Sequence, residues 1–217
     1  MLVGLDPVVW GPISVSLLVS LTSTLLALVV GLPAGIALGT VRFRGRSAVV
    51  AGLNTLMALP TVVVGLVVYA LLSRSGLLGG LDLLYTRTAM VVGQTVLVIP
   101  LIAALVNAAV EKADPRIRLT ALGLGAGRAR ASLTVASECR NALFAALAAG
   151  FGRVFSEVGV SMMLGGNIAG YTRNITTGIA FETGKGEFAV GIALGVVLLG
   201  VALALNLAAS LTMRRAQ

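Results

Sequence analysis

The chain has 217 residues, of which 58% are hydrophobic and only 11% are charged, and its mean hydropathy is +1.03. Soluble globular domains average about 45–50% apolar residues and about 25% charged residues. This composition excludes an ordinary soluble domain and indicates a protein that crosses a membrane several times. The net charge of +8 fits the same class, because basic residues accumulate in cytoplasmic loops.

Five apolar runs are each long enough to cross a bilayer core, which takes about 20 residues. We expect spanning helices at approximately Ile13–Thr40, Ala48–Leu72, Thr88–Val110, Leu143–Leu164 and Phe188–Met213. The predicted fold class is an all-α integral membrane protein, a five-helix bundle that forms one domain over residues 1–217. Pro12 suits the first turn of the first helix, and Pro33, Pro60 and Pro100 should kink their spans. No basic segment precedes the first run, so we expect it to be retained and not cleaved as a signal peptide.

The sixteen basic residues are divided unevenly between the two sides of these spans. Eleven fall in loops on one side and four in loops on the other, while Arg153 falls within a span. An excess of Lys and Arg marks the cytoplasmic side, so we expect the N-terminus outside and the C-terminus in the cytoplasm. The stretch GGNIAGYTRNIT, residues 165–176, then belongs to an outer loop at residues 165–187.

Glycines recur at four-residue spacing in the first predicted span, at Gly31, Gly35 and Gly39, and in the last, at Gly191 and Gly195. Small residues at this spacing let helix backbones approach closely. We therefore expect tight helix contacts at both places.

Two ionisable residues, Arg153 and Glu157, lie four positions apart in the fourth predicted span and hence on one helical face. Such groups are costly inside a membrane and usually face a bundle interior or water. Either the pair gates a translocation path by changing partners, or it is a static salt bridge that holds helices together. The span amides of Gln94 and Asn107 favour a helix-joining role. With no histidine and only Cys139, which we interpret as an ordinary small residue, the chain has no residue set for a zinc or haem site.

Residues 111–142 form the longest polar segment on the predicted cytoplasmic side. Asp114 followed by Pro115 is typical of a helix start, with an N-cap and then the first helical position. The stretch LTALGLGAG that follows has little side-chain bulk, which suits docking into a groove of another protein. A basic amphipathic connector that lies on lipid headgroups explains the same composition.

This segment resembles the cytoplasmic coupling loop of ABC-importer membrane subunits, whose pattern is EAA, three residues, then glycine. Leu119, Thr120 and Ala121 occupy the EAA positions without the acidic residue, and Gly125 takes the place of the glycine. The strings NTLMALPTVVVGLVVYALLSRSG and FGRVFSEVGVSMMLGGNIAGYTRNITTGIAFETGKGEF resemble the tungstate-type members of the molybdate/sulfate importer permeases. The resemblance covers essentially the whole chain.

The resemblance implies a type I, MetI-like permease subunit that pairs with a second copy of itself around one path. Two cytoplasmic ATPase subunits would dock on the coupling loops, and an extracytoplasmic binding protein would deliver an oxyanion. Tungstate is the expected substrate, with molybdate and sulfate as alternatives. The chain has no Gly-x-x-x-x-Gly-Lys-Ser/Thr loop, so we expect ATP at the partner subunits, no cofactor on this chain and no enzyme activity of its own.

On this basis, two groups of site residues are expected besides the Arg153–Glu157 pair. The residues expected to couple to the ATPase are Ala121, Gly125, Ala126 and Arg128. The residues expected to form an outer vestibule or to dock the binding protein are Gly165, Gly166, Asn167, Tyr171 and Arg173. A hydrated loop that only caps the helix ends would also explain the outer stretch.

Two other classes of protein are weighed against this interpretation. An ion-coupled carrier usually contains a membrane-embedded acidic relay and often inverted repeats. Only Glu157 qualifies as such an acid here, and no repeat is visible. A membrane-bound enzyme is disfavoured because the chain has no histidine and few carboxylates for catalysis.

Overall fold

The computed structural model describes residues 7–215, with the side chains of residues 10–207, and every regular element in this range is helical. Its α-helices are α1 (Pro7–Thr40), α2 (Arg46–Ala58), α3 (Thr61–Leu72), α4 (Arg87–Glu111), α5 (Pro115–Gly123), α6 (Arg128–Glu138), α7 (Arg140–Phe155), α8 (Gly159–Gly165), α9 (Ile175–Gly184) and α10 (Phe188–Arg215). A single 3-10 turn, Gly79–Leu81, lies between α3 and α4.

Helices α1 and α4 run side by side in the same direction and form the centre of the bundle. A Cβ atom added at Gly31 would lie 3.0 Å from Ile102, one at Gly35 would lie 2.6 Å from Val106, and one at Gly39 would lie 2.6 Å from Val110. The expected close contact in the first span is thus present. In α10, a Cβ at Gly191 would lie 2.8 Å from Thr183 Oγ1, whereas one at Gly195 would meet no atom within 4 Å.

Substitution of Gly35 with leucine is expected to prevent or strongly weaken folding, because a Cβ there would also lie 2.7 Å from the Ala103 carbonyl oxygen. Overpacking of a tight contact costs about 1–3 kcal/mol or more, and backbone cannot move aside as a side chain can. The melting temperature in detergent measures the effect. Gly200→Leu is the matched control, since a Cβ at Gly200 meets nothing within 4 Å. Equal melting temperatures for the two variants would contradict this account of the contact.

Two of the predicted spans, Ala48–Leu72 and Leu143–Leu164, are broken; the sequence predicted a kink at Pro60 in the first and no break in the second. Helices α2 and α3 meet at an angle of 97°, and α7 and α8 meet at 57°. Pro60 causes the first break, because proline lacks an N–H and forces the preceding residue into extended backbone; Leu59 has φ −63° and ψ 138°. The second break falls between Phe155 and Gly159.

Pro12 does not occupy the first helical turn that the sequence predicted. Helix α1 begins at Pro7, so Pro12 lies inside the helix and not in its first turn. Pro33 and Pro100 also lie within uninterrupted helices, α1 and α4. Among the described residues, α1, α4 and α10 are each long and apolar enough to cross a membrane, and each bent pair adds one span if it counts as one. The predicted number of five spans is thus compatible with the structure, but two of the five are bent.

The α5–α6 hairpin lies at one end of the bundle, which we call the hairpin end. There, Arg46 fixes the start of α2: its Nε donates to the Leu38 carbonyl at 2.6 Å, and its guanidinium lies 3.2 Å from both Asn107 Oδ1 and Glu111 Oε1. Asn107 thus joins two helices, as expected. The connector 73–86 and the segment 166–174 lie at the opposite end, where the Tyr85 N–H donates to the Leu164 carbonyl at 2.8 Å.

Candidate translocation and coupling sites

The break between α7 and α8 is organised by the carboxylate of Glu157. Its Oε2 lies 2.9 Å from Arg153 Nη1, and its Oε1 accepts from the backbone N–H groups of Gly159 at 2.9 Å and Val160 at 3.3 Å. The Glu157 side chain is only 3% exposed, whereas that of Arg153 is 42% exposed. The buried carboxylate therefore accepts from the first two backbone amides of α8 through one oxygen and pairs with the exposed guanidinium of Arg153 through the other.

The two broken spans meet at their breaks. A Cβ atom added at Gly159 would lie 3.1 Å from Thr61 Oγ1 and 3.1 Å from Val62 Cγ2, and Thr61 is the first residue of α3. A larger residue at this position would require the Thr61 and Val62 side chains to shift by a few tenths of an ångström. We call Pro60, Thr61, Arg153, Glu157 and Gly159 the junction.

Buried hydrogen bonds connect the junction to the rest of the bundle. Thr176 Oγ1 donates to the Glu157 carbonyl at 2.7 Å, and Ser161 Oγ donates to the same oxygen at 3.3 Å. Gln94 Nε2 in turn donates to Ser161 Oγ at 2.7 Å, which agrees with the helix-joining role expected for this amide. Ser161 was not among the expected site residues, and Thr176 was included only as the last residue of the outer stretch 165–176. Ser161 carries no motif, and only its position in an otherwise apolar run sets it apart.

The stretch 165–176 differs from the expected hydrated outer loop in that five of its twelve residues are buried, and α9 begins within it at Ile175. Asn174 caps α9, because its Oδ1 accepts from the Thr177 N–H at 2.8 Å. Ser16 Oγ in α1 accepts from the Ile175 N–H at 2.9 Å. Thr172 Oγ1 donates to the Gly165 carbonyl and accepts from the Ile168 N–H. These polar side chains saturate the local backbone instead of facing water.

The glycines expected in the vestibule have packing roles in the structure. Gly165 is buried, and a Cβ there would lie 2.6 Å from Met90 Sδ. Gly166 has φ +67°, and a Cβ atom added there would lie 2.7 Å from Cδ1 of the Tyr85 ring. Both the backbone conformation and this close contact favour glycine at the turn. Asn167 follows with φ +52°, and its buried Oδ1 has no hydrogen-bond partner among the described residues.

The remaining two vestibule residues contact neighbouring side chains. Arg173 lies 3.5 Å from Glu182 and stacks over the Phe181 ring at 4.5 Å, so it is less available to an anion than expected. Tyr171 is exposed, and its carbonyl accepts from Arg87 Nε at 2.7 Å. Of the five expected residues, Gly166 and Tyr171 are exposed at this end of the bundle.

Tyrosine hydroxyls also meet at this end. Tyr69 Oη and Tyr85 Oη lie 3.2 Å apart, and the hydrogen bond with Tyr69 raises the pKa of Tyr85 above its ordinary value. The raised pKa favours the neutral form of the Tyr85 hydroxyl, and the two aromatic rings lie edge to face at this surface.

The α5–α6 hairpin has the start that the sequence predicted. Asp114 Oδ1 accepts from the Arg116 N–H at 2.9 Å as the N-cap of α5. The helix ends in a Schellman motif, in which the Ala126 N–H donates to the Ala121 carbonyl and the Gly125 N–H donates to the Leu122 carbonyl, each at 3.0 Å. Gly125 has φ +86°, which favours glycine, so its position in the resembled motif corresponds to a backbone requirement.

The hairpin presents a groove of about 660 Å³ between α5 and α6. Ala121, Gly125 and Ala126 line it as a group, and the exposed Leu124, with 84% of its surface free, lies beside them. Arg128 is exposed but does not line the groove; the basic residues that do are Arg116 and Arg130, which the sequence analysis passed over.

Cys139 lies between α6 and α7, and its Sγ donates to the Ala109 carbonyl at 3.6 Å. Partial burial raises the pKa of this thiol, with a smaller contribution from the neighbouring Glu138 carboxylate. A thiol held neutral in this way is a poor nucleophile, in keeping with the interpretation of Cys139 as an ordinary small residue.

Known proteins similar to this chain are membrane permeases. The tungstate uptake system permease TupB of Peptoclostridium acidaminophilum is 41% identical over 206 residues, which cover 95% of this chain and 90% of that protein. A probable anion ABC transporter permease of Haloferax volcanii is 40% identical over 198 residues, 89% of this chain and 85% of the relative. The chain belongs to the tungstate-type family of ABC importer permeases. No family model matches the chain.

The fold agrees with this membership. A chain from inward-facing crystals of the MetNI methionine ABC transporter superposes with a TM-score of 0.78 at 20% sequence identity, covering 98% of this permease and 99% of that chain. The predicted all-helical, MetI-like fold class is confirmed. The permease is a multi-pass protein of the prokaryotic cell membrane, and as a permease subunit it is not itself a catalyst.

Proposed function

We propose that this permease is the membrane subunit of an ATP-driven importer of tungstate. The observation that carries the proposal is the 41% identity with TupB along nearly the full length of both chains. A second TupB, from Campylobacter jejuni, is 43% identical over 153 residues. Permeases named for sulfate and for molybdenum are 27–28% identical, so sulfate and molybdate remain the alternative substrates within the same class.

The exposed surface near the junction supports a path shared by two copies. No residue of α2, all of which the structure describes, is buried, although the helix contains several apolar side chains. Arg153 and Val158 are exposed next to the same breaks. Because ionisable groups at membrane depth face a bundle interior or water, the proposal places a second copy opposite this surface, with a water-filled path between the two junctions.

A path lined in this way suits a doubly charged oxyanion. The exposed guanidinium of Arg153 attracts the anion, while its pair with Glu157 keeps the attraction weak enough for release. The bends on both sides of the junction give α3 and α8 short rigid arms that can reorient when the complex changes state. In this proposal the Arg153–Glu157 pair belongs to the gate.

The hairpin end is proposed to be cytoplasmic, with the α5–α6 groove in contact with the ATPase. Arg116, Arg128 and Arg130 give this surface a positive charge, which complements carboxylates on the partner. The opposite end, with its exposed Tyr171 and Ile168, would receive the binding protein. ATP would bind only at the partner subunits.

Reconstitution tests the proposal. The permease, its ATPase and its binding protein are incorporated in proteoliposomes, and tungstate uptake is expected to require all three together with ATP. Uphill accumulation by the permease alone, driven by an ion gradient, would instead identify an ion-coupled carrier. Titration of the binding protein with tungstate, molybdate and sulfate distinguishes among the three substrates.

A further inference from the structure

A continuous apolar groove runs along the outside of the bundle. It is separate from the junction and from the groove between α5 and α6. It consists of a cavity of about 290 Å³ between α1, α7 and α10 and a second of about 430 Å³ between α1, α6 and α7. The two cavities share Phe144 and Leu147. Along α1 they extend from Leu21 to Ile36, about 22 Å at 1.5 Å per residue.

The groove changes character at one end. Most of its lining is aliphatic or aromatic, with Thr24 and Asn206 as the polar residues of the first cavity; Ser137 and Arg140 line the groove where it reaches the hairpin end, and Arg140 is the one charged residue among the described residues that line it. An apolar channel that finishes at a hydroxyl and a guanidinium matches a molecule with a long hydrocarbon chain and an anionic head. Its length exceeds the roughly 15 Å that one leaflet of the hydrocarbon core occupies, so an acyl chain of ordinary length fits within it.

We propose that this groove binds one anionic phospholipid, with an acyl chain along α1 and the phosphate at Arg140. A lipid is the favoured occupant because the proposed function already places the second copy at the junction, which this groove does not include. The hairpin end is strongly basic, with arginines at positions 42, 44, 116, 118, 128, 130 and 140, and this charge complements an anionic head group. A lipid phosphate neutralises the same charges.

Native mass spectrometry tests the site. The full chain, purified with the subunits that accompany it, is placed in nanodiscs with equal parts of phosphatidylglycerol and phosphatidylcholine and then transferred to detergent. We expect the unaltered chain to retain phosphatidylglycerol and Leu147→Trp, which fills both cavities, to lose it. Leu199→Trp is the matched control, because it adds the same ring at a leucine that is exposed on α10 outside the groove.

A second pair of variants tests the head group. Arg140→Gln should lower the preference for phosphatidylglycerol over phosphatidylcholine about fivefold, the effect of one basic side chain at a lipid surface, whereas Arg44→Gln at the same end should not. If Leu147→Trp does not fold, the comparison of Arg140→Gln with Arg44→Gln tests the proposal in its place. Unchanged preference in Arg140→Gln, or equal retention by the two tryptophan variants, overturns the proposal. So does disulfide formation between two copies through Leu25→Cys in a Cys139→Ala background, because Leu25 lines the groove.

Discussion

Replacement of Glu157 with alanine is expected to destabilise the permease and to abolish transport. The carboxylate accepts from two backbone N–H groups at the start of α8 and pairs with Arg153, so its removal leaves all three donors without this partner. Each buried donor left unsatisfied costs about 1–3 kcal/mol, and the position of α8 against α3 depends on these bonds. Thermal unfolding in detergent and uptake in proteoliposomes measure the two effects.

Two further variants separate the roles of this carboxylate. Glu157→Gln keeps a side-chain oxygen that can accept from Gly159 but removes the charge, so we expect most of the stability to return. Arg153→Ala removes the exposed partner, and exposed ion pairs contribute only about 0–1 kcal/mol. That variant should fold and assemble, yet transport slowly if the pair belongs to the gate. Normal uptake by Arg153→Ala would contradict the gating role, and an unchanged melting temperature for Glu157→Ala would contradict the capping role.

The sequence predicted those parts of the fold that depend on periodic local patterns. Gly31, Gly35 and Gly39 form a regular stripe, and a stripe of small residues packs closely whatever its partner is, which here is α4. The five apolar runs were identifiable for the same reason. Hydropathy averages over many residues, however, and an interruption of two or three residues inside an apolar run does not change the average.

The breaks therefore could not be read from hydropathy, and proline alone does not mark them. Pro60 separates two helices at 97°, whereas Pro33 and Pro100 lie within continuous ones. Membrane bundles tolerate proline where neighbouring groups satisfy the freed carbonyl, which depends on tertiary contacts that a sequence does not display. The approach of Gly159 to Thr61 is such a contact, between residues almost a hundred positions apart.

The outer stretch shows how polar composition can mislead. Its glycines, amides and hydroxyls favoured a wet loop, but Asn174 and Thr177 form a capping box for α9. An asparagine directly before an apolar residue is a recognisable helix start, and Thr177 here takes the place of the Glu or Gln of the usual capping box. That signal was present in the sequence. The burial of Thr172 and Thr176 was not, because their partners are the carbonyls of Gly165 and Glu157 in other turns of the chain.

Substitution of Gly125 with valine is expected to uncouple ATP hydrolysis from transport while the bundle stays folded. A β-branched residue at φ +86° is strained by more than the roughly 1–2 kcal/mol of an ordinary left-handed residue, so the Schellman turn should rearrange. No atom lies within 4 Å of the Cβ position, so the substitution creates no clash that would unfold the protein. The expected result is at least a tenfold loss of tungstate uptake with ATPase activity retained in the assembled complex.

Two controls show whether the turn itself carries the coupling. Asparagine tolerates left-handed backbone, so Gly125→Asn should keep the turn and most of the uptake although it adds a side chain. Gly123→Ala adds a methyl group at the last residue of α5, where the backbone is helical and no atom lies within 4 Å of the new Cβ. If Gly125→Asn fails as completely as Gly125→Val, added bulk on the docking surface is the cause and not the turn. If Gly125→Val pumps at the normal rate, the ATPase does not dock at the α5–α6 groove, because a rearranged turn at the centre of that groove would displace any partner seated there.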